Sequence, residues 1–175
     1  ARSWGSLTLA LAETYVARRG LDFEDFTQRL LDWFDGNPPD VGNQTRKVLE
    51  YLREYPARTI IAARKFWYHS NGMTAGNGSL MRCAPTALFR CHNIEELVRE
   101  SILASQITHF DPRCCEACVV ANFAIEQCLL GRFSPDLMAQ TLLFYRSLHQ
   151  MPLYHSLVAN YETGKMKEGE PWSMA

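Results

Sequence analysis

The chain has 175 residues, a formal net charge of −1 and a hydrophobic fraction of 47%. That length supports one domain with its own core. A balanced charge without a basic stripe argues against nucleic acid or an anionic membrane as the main partner. No apolar run approaches the ~20 residues a membrane helix needs. The opening Ala1-Arg-Ser-Trp-Gly5 lacks the architecture of a signal peptide, and the absence of an initial Met suits a processed product or a fragment.

Taken in order, Ser6 to Arg19 carries Leu7, Leu9, Ala10, Leu11, Tyr15 and Val16 without a breaker, which predicts a buried helix stopped by Gly20. Asp22 is placed to cap a second helix, in which Phe23, Phe26, Leu30, Trp33 and Phe34 keep helical spacing up to Gly36. Asn37-Pro-Pro-Asp40 is a loop, because two prolines cannot continue a helix. A third helix opens at Gly42 or Asn43 and runs to about Glu54; Pro56 starts a fourth, apolar at Ile60, Ile61, Ala62 and Phe66.

A glycine-rich loop follows, and Pro85 lies so soon after it that the next helix is short, kinked or begins near Ala84. Asn93 with Glu96 makes a capping-box-like start for a helix with Ile94, Leu97, Val98, Ile102 and Leu103 as its core stripe. Asp111-Pro112 signals a long helix ending at Gly131, and Ser134-Pro135 repeats that signal for a helix through Leu142, Leu143, Tyr145 and Leu148. Leu153 to Tyr161 adds a turn or two, and the polar tail 162–175 is expected to fray. No strand alternation, repeat or linker breaks the pattern. The expected architecture is all-α: a single domain over 1–175, built as a compact orthogonal multi-helix bundle.

Four of the six cysteines, Cys114, Cys115, Cys118 and Cys128, fall on one predicted helix, where neighbours are poor disulfide partners. Cys115 and Cys118 with His109 nearby invite a zinc reading, but no second ligand pair stands at the required spacing. Small reduced thiols are the alternative, and they imply a cytoplasmic location.

The stretch with the most chemistry is Asn71-Gly-Met-Thr-Ala-Gly-Asn-Gly-Ser-Leu-Met-Arg82. Gly72, Gly76 and Gly78 let a ligand approach the backbone or permit φ > 0, and Asn77 tolerates the left-handed region. Ser79 is placed to cap the run that follows. Successive backbone N–H groups in such a loop form an anion-binding concavity, so the loop is a cradle for phosphate or a sugar hydroxyl, or else an ordinary connection between helices.

Gly76-Asn-Gly-Ser-Leu-Met-Arg82 followed by Cys83-Ala-Pro85 resembles the Gly-Asn-Gly-small-Leu-Met-Arg-x-x-Pro signature of the ADP-ribosylglycohydrolase family. Ser105-Gln-Ile-Thr-His-Phe-Asp-Pro-Arg113 is similar to the family's Thr-His-x-(Asp)-Pro helix start, and Asp40-Val-Gly-Asn-Gln-Thr45 is a third, weaker match. The resemblance implies the same all-α class. It also implies an enzyme that removes ADP-ribose from a modified acceptor, with ADP-ribose or an ADP-ribosylated protein as its partner.

Within that resemblance, Gly76, Asn77, Gly78, Ser79 and His109 are the ligand-binding residues. His109 alone reads equally as a helix-capping or core residue, Asp111 as a helix cap, and Arg82 as a phosphate contact or half of an internal ion pair. The family carries two divalent ions, Mg2+ or Mn2+, held by an Asp-Asp-Thr run near its start and a Gly-Gly-Asp-x-Asp-Thr run near its end. Such oxygen ligands suit hard cations that orient a ribose and activate water.

Here Ser3-Trp4-Gly5 stands at the first place, the second run is absent, and Asp22, Asp25, Asp32 and Asp35 read as a solvated helix face. No metal ligand and no catalytic residue is therefore assigned in this chain. Three functions stay open: a hydrolase or part of one, a non-catalytic ADP-ribose-binding module, and a crystallin-like structural relative.

Overall fold

A computed structural model describes residues 4–162, with side chains from 5 to 157. The tail from 163 onward and Ser3, which stands at the first metal motif of the resemblance, lie outside the described residues. Among those described there are nine α-helices and no strand: α1 (Trp4–Arg18), α2 (Phe23–Asp35), α3 (Asn43–Glu54), α4 (Thr59–His69), α5 (Ala84–Phe89), α6 (Ile94–Gln106), α7 (Pro112–Leu129), α8 (Leu137–Leu148) and α9 (Pro152–Glu162).

Local side-chain chemistry sets the helix starts. Asp22 accepts the backbone N–H of Asp25 at 2.8 Å, Asn93 that of Glu96 at 3.2 Å, and Asp111 that of Arg113 at 2.9 Å. Each satisfies a donor that the first helical turn leaves without a partner. Pro56 opens a 3-10 turn over Pro56–Arg58 rather than α4 itself, which begins at Thr59. The short helix after the glycine loop does begin at Ala84, with Pro85 in its first turn, where a missing N–H costs nothing.

Two apolar clusters hold the bundle. Leu7, Leu11 and Tyr15 of α1 meet Phe26, Leu30 and Phe34 of α2, Val48, Leu49 and Leu52 of α3, and Ala62 and Ala63 of α4. Val98 and Ile102 of α6, Cys115 and Val119 of α7, Leu148 of α8 and Tyr154 of α9 form the second. Ala104 and Ile107, at the end of α6, belong to the first cluster, so α6 joins the two.

Several apolar residues expected inside face solvent instead: Leu9 and Val16 on α1, Ile60 and Ile61 on α4, Leu142 and Leu143 on α8. The α4 stripe that packs inward is Thr59, Ala62, Ala63 and Phe66, which puts Ile60 and Ile61 on the far side of the helix. On α8 the inward positions are Thr141, Phe144 and Leu148, which turns Leu142 and Leu143 outward. The part-buried pair of Arg90 and Glu100, with bonds of 2.7 and 2.6 Å, ties the end of α5 to α6. Glu100 also accepts the Leu21 backbone N–H at 3.1 Å, which brings the α1–α2 connection onto the same carboxylate.

Candidate functional site

The glycine loop leaves α4 through Asn71 (φ 50°) and Gly72 (φ 74°), a pair in the left-handed region that turns the chain back over Trp67. Gly72 is the loop glycine that needs its φ; neither Gly76 nor Gly78 has a positive φ, and Asn77 has none either. What restricts Gly78 is space. A Cβ there would lie 2.8 Å from His109 Cε1, 3.0 Å from His109 Nε2 and 3.2 Å from Thr45 Oγ1. At Gly76 the nearest atom would be His109 Nε2 at 3.4 Å. The loop backbone thus lies directly on the His109 imidazole, and the two stretches singled out in the sequence meet.

Beneath the loop its carbonyls are held from inside. Cys114 Sγ donates to Gly76 O at 3.1 Å, and the Arg82 guanidinium donates to Gly78 O at 3.4 Å. Arg113 reaches Gly72 O at 2.9 Å. Asn77 O accepts from Met81 N at 3.1 Å, and Ser79 O from Arg82 N at 3.2 Å, at the start of the 3-10 turn Leu80–Arg82. By contrast, the backbone N–H groups of Gly76, Asn77, Gly78 and Ser79 have no protein acceptor among the described residues. These four consecutive N–H groups lie in the loop that packs on the His109 ring, and unpaired backbone donors are what an anion-binding loop needs.

Ser79 does not cap the turn with its side chain. Its buried hydroxyl faces inward, where Ser105 Oγ donates to it at 2.8 Å and Cys118 Sγ lies 3.6 Å away. Asn77 is exposed on the loop crest. His109 is 2% exposed, with Nδ1 2.8 Å from Thr108 Oγ1. Burial, with the nearby Arg82 charge as a second cause, pushes its pKa down to about 3. The ring is therefore neutral at physiological pH.

Arg82 pairs with no carboxylate among the described residues. It is 1% exposed, stacks over Phe26 at 5.5 Å, and donates to Ala104 O at 3.2 Å and to Thr108 Oγ1 at 2.7 Å. Burial lowers its pKa to about 10, which leaves it cationic at neutral pH. It is a structural cation under the loop, not the ion-pair half that the sequence allowed.

Asp111 is more than a cap. Its carboxylate accepts from Trp67 Nε1 at 2.9 Å and from the Arg113 side chain at 2.9 and 2.8 Å. Burial works to raise its pKa, and the bonds from Arg113 and Trp67 outweigh it and hold the carboxyl below its usual range. Sequence reasoning missed Thr108, which sits between Arg82 and His109, and gave no role to Thr45, which borders Gly78 from α3. The signals were present: Thr108 lies inside the Thr-His match and Thr45 ends the third one.

All six cysteines are free thiols, and no group of three or more His, Cys, Asp or Glu side chains among the described residues is placed to hold a metal. The acidic residues of α2 are engaged elsewhere: Asp22 in its cap, Asp25 with Arg18, Arg29 and Thr14, Asp35 with Arg53. The described residues therefore do not fit the binuclear centre that the resemblance implies. No helix among them is long and apolar enough to cross a membrane.

Comparison with known proteins points the same way as the loop and the histidine. The ADP-ribosylglycohydrolase family profile matches residues 4–169. An ADP-ribosylarginine hydrolase Tri1 of Pseudomonas putida (strain GB-1) is 31% identical over 157 residues, covering 85% of this chain and 39% of the relative. The ADP-ribosyl-[dinitrogen reductase] glycohydrolase of Rhodospirillum rubrum is 31% identical over 127 residues, covering 72% of this chain and 40% of the relative. The chain thus spans about two fifths of the length of these curated relatives. With the profile running almost from end to end and a relative 31% identical over 85% of the chain, the chain belongs to the ADP-ribosylglycohydrolase family.

Proposed function

We propose that this chain supplies the ADP-ribose-holding surface of an ADP-ribosylglycohydrolase, the hydrolase that frees ADP-ribose from a modified acceptor. The observation that carries the reading is the run of backbone N–H groups at Gly76, Asn77, Gly78 and Ser79 without protein acceptors, laid against His109. Pyrophosphate oxygens are the ligand atoms that such donors suit. Gly78 contributes its backbone because its close approach to His109 leaves no room for a side chain, and Ser79 likewise acts through its N–H, its hydroxyl being turned inward. Arg82, one layer below, adds positive charge without touching solvent.

Two relatives carry names that put ADP-ribose on arginine or on dinitrogen reductase. ADP-ribosylarginine is accordingly the acceptor class to assay first. Cleavage calls for a divalent-ion site that the described residues do not form, so the activity proposed for the chain itself is binding. The free thiols suit a reducing, cytoplasmic setting.

Calorimetric titration of the 175-residue chain with ADP-ribose tests the reading. Binding in the high-micromolar to millimolar range is expected, about −4 to −6 kcal/mol. Gly78→Val should abolish it by displacing the imidazole. A well-folded chain that takes up no heat at millimolar ADP-ribose would leave the loop as a mere connection.

A further inference from the structure

The atoms around His109 settle more than its neutrality. A guanidinium only donates, so the 2.7 Å contact from Arg82 makes Thr108 Oγ1 an acceptor there. The same hydroxyl has one proton of its own to place. Among the described residues the only other atom within its hydrogen-bonding reach is His109 Nδ1, at 2.8 Å. Thr108 is fully buried, so water is not at hand to take that proton. Were Nδ1 protonated, Thr108 Oγ1 would accept twice while its own O–H was left without an acceptor, at the cost of a buried unsatisfied donor. With Nδ1 bare, the Arg82 N–H and the Thr108 O–H each find an acceptor, and the ring proton is left on Nε2.

We propose that Arg82 and Thr108 are positioning residues that fix His109 as the tautomer protonated on Nε2, presenting one N–H donor at the glycine loop. Nε2 is the ring nitrogen on the loop side, 3.4 Å from a Cβ position at Gly76 and 3.0 Å from one at Gly78, and it has no hydrogen-bond partner among the described residues. Its proton therefore extends the row of donors at 76–79 by one, on a ring that cannot pivot. The guanidinium that orders Thr108 also grips Gly78 O and Ala104 O, so one buried cation sets both the loop backbone and the tautomer. The ligand to which this donor suits is an oxyanion or a ribose oxygen. That half rests on the ADP-ribose reading above; the tautomer does not.

Long-range 1H–15N correlation spectra of the ligand-free chain report which imidazole nitrogen carries the proton. The expected His109 pattern is a bare Nδ1 and a protonated Nε2 in wild type and in Thr108→Ser, which keeps the hydroxyl. Thr108→Val should give a mixture of tautomers. It should also weaken ADP-ribose binding at least about threefold, since only the competent fraction binds, whereas Thr108→Ser stays within about twofold of wild type. A wild-type spectrum with the proton on Nδ1 overturns the proposal, whether or not Thr108→Val folds. So does a folded Thr108→Val that keeps the wild-type pattern and affinity. Wild-type protein with the expected pattern and no ADP-ribose binding would refute the ADP-ribose reading and leave the tautomer assignment standing.

Discussion

Replacing Gly78 by alanine puts one carbon 2.8 Å from His109 Cε1, 3.0 Å from Nε2 and 3.2 Å from Thr45 Oγ1. Carbon contacts are ordinarily 3.5–4.0 Å, so something must shift. The backbone is not the source of strain, because φ at Gly78 is not positive. The imidazole has little freedom to yield, being buried and bonded at Nδ1 to Thr108. Overpacking of this kind costs about 1–3 kcal/mol. Gly76→Ala meets the same ring at 3.4 Å, and Gly42→Ala meets nothing within 4 Å. These two should be near neutral or stabilising by up to about 1 kcal/mol, through the lost freedom of the unfolded chain. Urea unfolding followed by circular dichroism ranks the three variants. In a His109→Ala background the added methyl occupies the space the ring has left, and most of the Gly78→Ala cost should vanish as coupling energy. Equal effects at Gly76 and Gly78, or a cost unchanged without the ring, would refute the reasoning.

Protonation gives a second test. His109 titrates near 6.5 when unfolded and near 3 when folded, because burial and then Arg82 oppose its charge. Above about pH 6.5 both states are neutral and the group contributes no slope; as pH falls from there towards 3, the unfolded chain gains a proton that the native state refuses, and stability is lost. By pH 5 the loss is about 2 kcal/mol, and His109→Gln should lack it; equal declines between pH 7 and 5 in urea midpoints would contradict the assignment. Asp111→Ala should cost about 2–3 kcal/mol, about 1 from the cap and the rest from the bond that Trp67 Nε1 donates, with Asp111→Asn milder because it keeps an oxygen acceptor. Denaturant melts compare them, and a loss of about 1 kcal/mol in Asp111→Ala would reduce the residue to its cap.

The sequence-readable features were those that depend on near neighbours in the chain. Asp22, Asn93 and Asp111 each cap a helix two or three residues on, so their chemistry is written locally. Assigning the loop and His109 to one ligand rested on two motifs together, not on either alone, and the structure puts the two in contact. What escaped was set by packing from elsewhere. Gly78 was expected to serve either a positive φ or the close approach of a ligand; its φ is not positive, and the ring of a residue 31 positions on is what excludes a side chain there. Arg82 read as a phosphate contact or half of an internal ion pair, yet it donates to carbonyls and a threonine hydroxyl under the loop. Ile60 and Ile61 carry the right hydrophobicity, but the smaller Ala62 and Ala63 take the inward positions of α4.

The central claim is that ADP-ribose sits on the loop against His109. Backbone amide spectra of the chain titrated with ADP-ribose test it most directly, because they locate the ligand as well as detect it. The account predicts saturable shifts at the amides of Gly76, Asn77, Gly78 and Ser79 and at the His109 imidazole. Unchanged spectra at millimolar ADP-ribose, or shifts that leave these loop amides and the His109 imidazole unmoved, would contradict it.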